Sequence, residues 1–342
     1  MAERKEKIPY YEQVAGRLIE QLEAGTAPWQ KPWVPGTIRL PHNPVSGTRY
    51  KGSNAIWLEM QNRGDPRWMT YKQAQSVGAQ VRRGEKGTLV QYWKLNDQVP
   101  VKDERGKPLT DAEGNQVYRS VPLDRPKVFS AVVFNAEQID GLPPLESRFP
   151  RGASDWDRHE RAESVLKASG VEIRHDQADR AFYRPATDKI HLPPRDSFKS
   201  ADSFYSTALH ELGHASGHPS RLDRDLAHPF GSVGYAKEEL RAEIASLMIG
   251  DQLGIGHDPG QHAAYVKSWV QILKDDPKEI LRASRDADKI TGYVLGLEKE
   301  RVPANIDKLP QVVRPSTPEV ARKALDEARQ ALNQQSASDR ER

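Results

Sequence analysis

With 342 residues the chain is long enough for two domains of ordinary size. At 37% hydrophobic and 29% charged residues it reads as a soluble protein: no apolar run approaches the roughly 20 residues a membrane-spanning helix needs, and the charged start is followed by no apolar signal segment. The lack of cysteine excludes disulfides and thiolate metal sites and agrees with a cytoplasmic location, so any metal must be held by histidines and carboxylates.

Val14, Leu18, Ile19 and Leu22 fall at helical spacing and predict a helix over residues 10–24, ended by Gly25. Residues 28–35 hold three prolines and read as an ordered loop. Short helices are expected over 54–62 and 71–77, a basic turn at 81–87, and strands at 88–93 and 127–135. Between those strands, residues 96–125 carry repeated Gly and Asp turn signals and read as a long hairpin excursion. Together these elements make a small α+β module.

The net charge of +3 is unremarkable, but its distribution is uneven: residues 31–95 hold eleven Lys/Arg against three Asp/Glu, with four of the seven tryptophans. Positive charge interleaved with aromatic rings suits a single-stranded nucleic acid, because Lys and Arg follow phosphates while Trp stacks on bases. Lys51, Lys72, Arg82, Arg83, Lys86 and Lys94 are the phosphate candidates, with Trp68 and Trp93 as stacking candidates. Any one tryptophan is more often core than contact, so the cluster rather than the single residue carries this reading. Binding of this kind weakens steeply with salt and shows little sequence preference.

Pro143, Pro144, Pro150, Gly152 and Ser154 mark residues 143–155 as a linker. Beyond it, 171–174 alternates like a strand, and 181–184 and 189–192 flank a turn at 185–188 as a hairpin. Phe204, Ala208, Leu209, Leu212 and Ala215 then give a helical stripe, with Ser200, Asp202 and Ser203 as N-cap candidates and Gly217 and Pro219 as its stop. The last turn of this helix holds His210-Glu211-Leu212-Gly213-His214, an H-E-x-x-H run. At 3.6 residues per turn, both imidazoles lie on one face, where they can bind one metal ion, and Glu211 reaches a water bound to it.

A hydrolytic zinc site takes three protein ligands and leaves a fourth position to water, so a third ligand is needed. The metzincin pattern would place a His where Ser220 stands, which weakens that route; His218 is a further candidate. On the helix expected over 235–248, Leu240, Ile244, Leu247 and Met248 form an apolar stripe, and Glu239 and Glu243 share another face at i, i+4. This pair resembles the gluzincin pattern, which implies Glu239 as ligand and Glu243 as hydrogen-bond partner of a ligating ring, with Glu238 as the rival ligand. Glu211 would then be the general base, taking a proton from water and passing it to the leaving amine. Tyr183 and Tyr235 are the hydroxyls nearest in sequence for the oxyanion, a role left open. The hairpin at 181–192 would offer a strand edge to an extended peptide. Packed helices are expected over 263–273 and 277–297, then a polar tail with a helical stretch at 318–332.

Several of these segments carry a family resemblance. Pro28-Trp29, Tyr50-Lys51-Gly52, Trp68-Met69-Thr70-Tyr71-Lys72-Gln73-Ala74, Arg83-Gly84-Glu85-Lys86-Gly87 and Tyr92-Trp93 resemble the ArdC-type antirestriction proteins. Tyr183-Arg184-Pro185, the run from His210 to His218, Ser220-Arg221-Leu222 and Tyr235-Ala236-Lys237-Glu238-Glu239-Leu240 resemble the zincin-like domain of the same family. The resemblance implies an α+β protein: an N-terminal module at 8–142 that binds single-stranded DNA and is shared with TraC-type conjugal primases, then a zincin-like metallopeptidase domain at 156–300. Residues 301–342 form the tail. It implies a protein of plasmids or other mobile elements that shields incoming DNA from restriction, with zinc or alternatively manganese as cofactor. Its partners would be single-stranded DNA, alternatively double-stranded DNA, without strong sequence preference, and an unidentified protein substrate, with no membrane. The competing reading is a protein that coats DNA sterically, with a structural or idle metal site. Glu211 separates the two, since a structural site needs no base. A nucleotidyl-transferase reading finds no acidic metal cluster or phosphate-cradling Gly loop in the chain.

Overall fold

A computed structural model of the chain describes residues 8–30, 40–103, 105–111, 114–145, 155–256 and 263–299. The expected linker falls largely, and the tail with its 318–332 helix wholly, outside these residues.

Helix α1 (Tyr10–Glu23) buries Val14, Leu18 and Leu22 along one face and gives way to Gly25 at φ +68°. A turn at Pro28–Gln30 follows, with Trp29 fully buried. Next come α2 (Ser53–Glu59), β1 (Trp68–Thr70), α3 (Tyr71–Ser76), β2 (Gln80–Val81), β3 (Thr88–Pro100), β4 (Tyr118–Asn135) and β5 (Ile139–Asp140). The Thr70 side chain accepts from the Gln73 amide while Gln73 reaches back, a capping box that starts α3 directly from β1. Strands β1, β4 and β3 form an antiparallel sheet in the order β1-β4-β3, and β2 pairs with β5.

The β3–β4 ribbon runs from Thr88↔Val133 out to Pro100↔Tyr118, with a bulge between Lys94 and Asn96. Both strands outrun the sequence expectation, because their outer halves face solvent on both sides and show no apolar alternation.

The second half contains α4 (Asp155–Ala168), β6 (Glu172–Arg174), β7 (Phe182–Arg184), β8 (Lys189–His191), α5 (Ala201–Ala215), α6 (Val233–Leu253), α7 (Val266–Asp275) and α8 (Glu279–Lys299). Its sheet has the order β6-β8-β7, with β6 parallel and β7 antiparallel to β8. Ser200 and Ser203 cap α5 reciprocally, and Gly254 at φ +72° ends α6 five residues beyond the expected 248.

One hydrophobic core runs through both halves. Helix α1 packs on α7 and α8, and the Trp29 and Trp269 rings meet edge to face with centroids 6.1 Å apart. Fully buried Asp251 of α6 accepts from the Leu40 amide at 2.9 Å and pairs with Arg49 at 3.4 Å. Among the described residues no helix is long and apolar enough to cross a membrane.

Candidate metal centre

Helix α5 delivers His210, Glu211 and His214 from its last turns, and α6 lies against it and delivers Glu239. His210 Nε2 and His214 Nε2 are 3.2 Å apart, too close for two ring nitrogens with nothing to share. Glu239 Oε2 stands 3.7 Å from His210 Nε2, and Oε1 3.6 Å from His214 Nε2. Bonds of about 2.1 Å at tetrahedral angles would put donors about 3.4 Å apart. The donor atoms, all within 4.8 Å of one another, therefore fit one divalent cation without rearrangement. No other such cluster occurs among the described residues.

The opposite ring nitrogens are also faced by carboxylates. Glu243, fully buried, has Oε1 3.7 Å from His210 Nδ1. Glu238 Oε1 lies 3.3 Å from His214 Nδ1 and accepts from Arg224 Nη2 at 2.7 Å. Arg224 also donates to the Gly213 carbonyl and to Ser216 Oγ, both at 2.9 Å, so the segment after α5 folds back to lock that carboxylate. Glu238 is thus on the far side of the imidazole from Nε2. His218 turns outward, with Nδ1 2.8 Å from Ser220 Oγ.

Electrostatics favour a cation here. Burial weakens proton binding by His214, but the charge of Glu239, the hydrogen bond to Glu238 and the charge of Glu211 outweigh it and hold the ring well above its usual pKa. Burial pushes the Glu239 carboxyl up, yet His214 and His210 pull it below the ordinary carboxylate range. Glu211 moves the other way: burial raises it and Glu239 adds to the rise, against His210, His214 and the Tyr183 main-chain amide. A carboxylate held above its usual range beside a cation site is suited to exchange protons with bound water.

The cluster opens into a cavity of about 630 Å³. One wall is strand β7 with the residues just before it, 179–181; β7 is an edge strand, paired only with β8. The Tyr183 hydroxyl on β7 donates to Asp188 Oδ1 at 2.7 Å and accepts from Arg221 at 3.2 Å, so it is committed to the hairpin. Tyr235 lines the cavity with Tyr265, their ring centroids 5.7 Å apart. Burial, then the nearby Glu239, raises the Tyr235 phenol far above its usual pKa and keeps it a donor. Tyr265 had no sequence signal, since it precedes α7 and reaches the site only through the fold.

Of the nucleic-acid candidates, Lys51 and Trp93 line a second cavity of about 900 Å³. Lys94, the next residue on β3, pairs with Asp97 at 2.6 Å. Lys72, Arg83 and Lys86 are exposed but do not line this cavity; nor does Arg82, which is held by Glu85 and Asp140. Trp68 must be corrected: it is 1% exposed, packed in the core on β1, and offers no face to a base. Tyr92, at 45% exposure, is an aromatic wall of the cavity that the sequence reading passed over.

Comparison with known proteins gives two family matches: an N-terminal domain of anti-restriction factor ArdC over residues 9–129 and a zincin-like metallopeptidase over residues 160–286. The chain is 64% identical over 299 residues to a DNA primase TraC of Escherichia coli, covering 86% of this chain but only 28% of that protein. It is also similar to two crystal structures of the antirestriction ArdC protein from the R388 plasmid. The metal-free form superposes with a TM-score of 0.67 and the Mn(II)-bound form with 0.65, each at 35% identity over 86% of this chain and all of that one.

Proposed function

The chain belongs to the ArdC-type antirestriction family, and from that premise we propose that it protects incoming plasmid or mobile-element DNA during conjugation by binding it single-stranded and hydrolysing a protein met there. The observation that carries the enzymatic part is the convergence of His210 Nε2, His214 Nε2 and Glu239 on one point with Glu211 beside them. His210, His214 and Glu239 would hold the cation, and Glu243 and Glu238 would orient the two rings. Zinc suits this mixed donor set, and manganese is the alternative that the R388 relative supports. A bound divalent ion supplies Lewis-acid polarisation and makes water more acidic.

The chain's own residues supply the rest. The edge of β7 pairs with an extended peptide through its main chain. Glu211 takes the proton of the attacking water and returns it to the leaving amine. Tyr235, kept protonated, donates to the developing oxyanion, with Tyr265 positioning its ring.

Lys51 and Trp93, which line the second cavity, and Lys94 next to Trp93 on β3 give contacts to the backbone and bases of single-stranded DNA without strong sequence preference. The test is transfer of plasmid DNA into a restricting host, with wild-type chain or the Glu211→Ala variant supplied. Protection should fall to the level without the protein for Glu211→Ala while its affinity for single-stranded DNA stays intact. Full protection by Glu211→Ala would leave steric coating as the mechanism.

A further inference from the structure

The 900 Å³ cavity is within the range of small-ligand pockets, roughly 300–1,000 Å³, and it is not built by the N-terminal half alone. Residues 43–54 and strand β3 make one side; α8, from the other half of the chain, makes the opposite side with Arg282, Arg285 and Asp288. Trp93 and Tyr92, neighbours on β3, both line the cavity and are 53% and 45% exposed. Arg49, Lys51, Arg282 and Arg285 all line it, Arg49 in an ion pair with Asp251, Arg282 with Asp276 and Glu279, and Arg285 with Asp286. Basic rims and aromatic walls fit a nucleotide of a single strand.

Asp288 does not fit simple phosphate tracking, because an acid inside a basic groove repels the backbone. Its position is built. Gly52, at φ +55°, runs beside it: its amide bonds the carboxylate, and a β-carbon there would lie in ordinary contact, 3.5 Å from Asp288 Oδ2. Burial drives its carboxyl up to about 6, against the Gly52 amide and the charge of Lys51, so at neutral pH it is ionised at a cost to the fold. An ionised carboxylate only accepts hydrogen bonds. Guanine presents N1–H and N2–H side by side, matching two carboxylate oxygens. Adenine and cytosine set a ring acceptor beside their amino group, and thymine sets its single N–H between two carbonyls.

We propose that this cavity is a pocket for one unpaired guanine nucleotide of single-stranded DNA, closed by α8, with Asp288 accepting from the base and Arg285 meeting its phosphate. This rests on the reading that the chain binds single-stranded DNA, and adds a base preference and a contribution from the zincin-like half. The experiment is fluorescence anisotropy of the full chain with labelled oligothymidine, unmodified or carrying one central dG, dA or dC. Wild type should bind the dG strand at least about fivefold more tightly than the others. Asp288→Asn should bring that ratio to one, and Arg285→Ala should weaken every strand and flatten the salt dependence. Equal affinity for all four strands, or a dG preference that survives Asp288→Asn, overturns the pocket and leaves general single-strand binding standing. Absence of binding to every strand overturns the underlying reading as well.

Discussion

Glu238 Oε1 lies 3.3 Å from His214 Nδ1 and 2.7 Å from Arg224 Nη2, so one buried carboxylate fixes the imidazole on the side opposite its metal-facing nitrogen. Glu243 faces the corresponding nitrogen of His210 from further off, 3.7 Å from Nδ1. Such partners set ring orientation and basicity, and losing one typically weakens metal affinity about 10–100-fold. Glu238→Gln and Glu243→Gln should each lower affinity by that factor in a chelator competition titration while still binding one ion.

The two tryptophans expected at the nucleic-acid face should separate. Trp68 is core, so Trp68→Ala should cost about 3–5 kcal/mol in denaturant unfolding. Trp93 is half exposed at the groove, so Trp93→Ala should leave stability within about 0.5 kcal/mol of wild type. Its single-strand affinity should fall by about 1–3 kcal/mol, the value of one stacked base.

Asp288 gives a pH signature. Its folded pKa of about 6 lies above the ordinary 3.8, so the fold retains a proton that the unfolded chain has already released. Its ionisation therefore costs stability progressively between those values, and fully above them. Asp288→Asn should melt higher than wild type at about pH 8, and the gain should shrink to nothing as the pH falls toward about 4.

Gly213 lies inside the metal helix, yet a β-carbon there would meet only Ile290 Cγ2 at an ordinary 3.7 Å. Glycine mid-helix is less favourable than alanine by about 0.8–1 kcal/mol. Gly213→Ala should raise the melting temperature without changing metal stoichiometry, measured by calorimetry and metal analysis on the same samples.

Much of this was legible in the sequence because helical spacing is short-range information. The H-E-x-x-H run, the Glu239–Glu243 pair and the caps of α5 each depend on residues a few positions apart, and the mixed helix and small-sheet class followed from the same patterns. Long-range facts were not legible. The spacing favours Glu239 but leaves Glu238 as a rival ligand, and the sequence does not show that Arg224 reaches Glu238 from the segment between two helices. Trp68 was misread because local charge says nothing of which way a side chain faces; the short Trp68–Thr70 strand turns it into the core beneath Tyr50, whose hydroxyl bonds the Trp68 carbonyl at 3.1 Å. The outer ribbon showed only turn signals, and the α8 side of the groove lies more than two hundred residues from Lys51 in sequence.

The proposed hydrolysis requires that His210, His214 and Glu239 together hold one divalent ion. Native mass spectrometry of the full chain, stripped and reloaded with zinc or manganese, tests it most directly. Wild type and Glu211→Ala should each carry one ion per chain, and Glu239→Ala none at the same free metal concentration. One ion retained by Glu239→Ala, or none taken up by wild type, would contradict it.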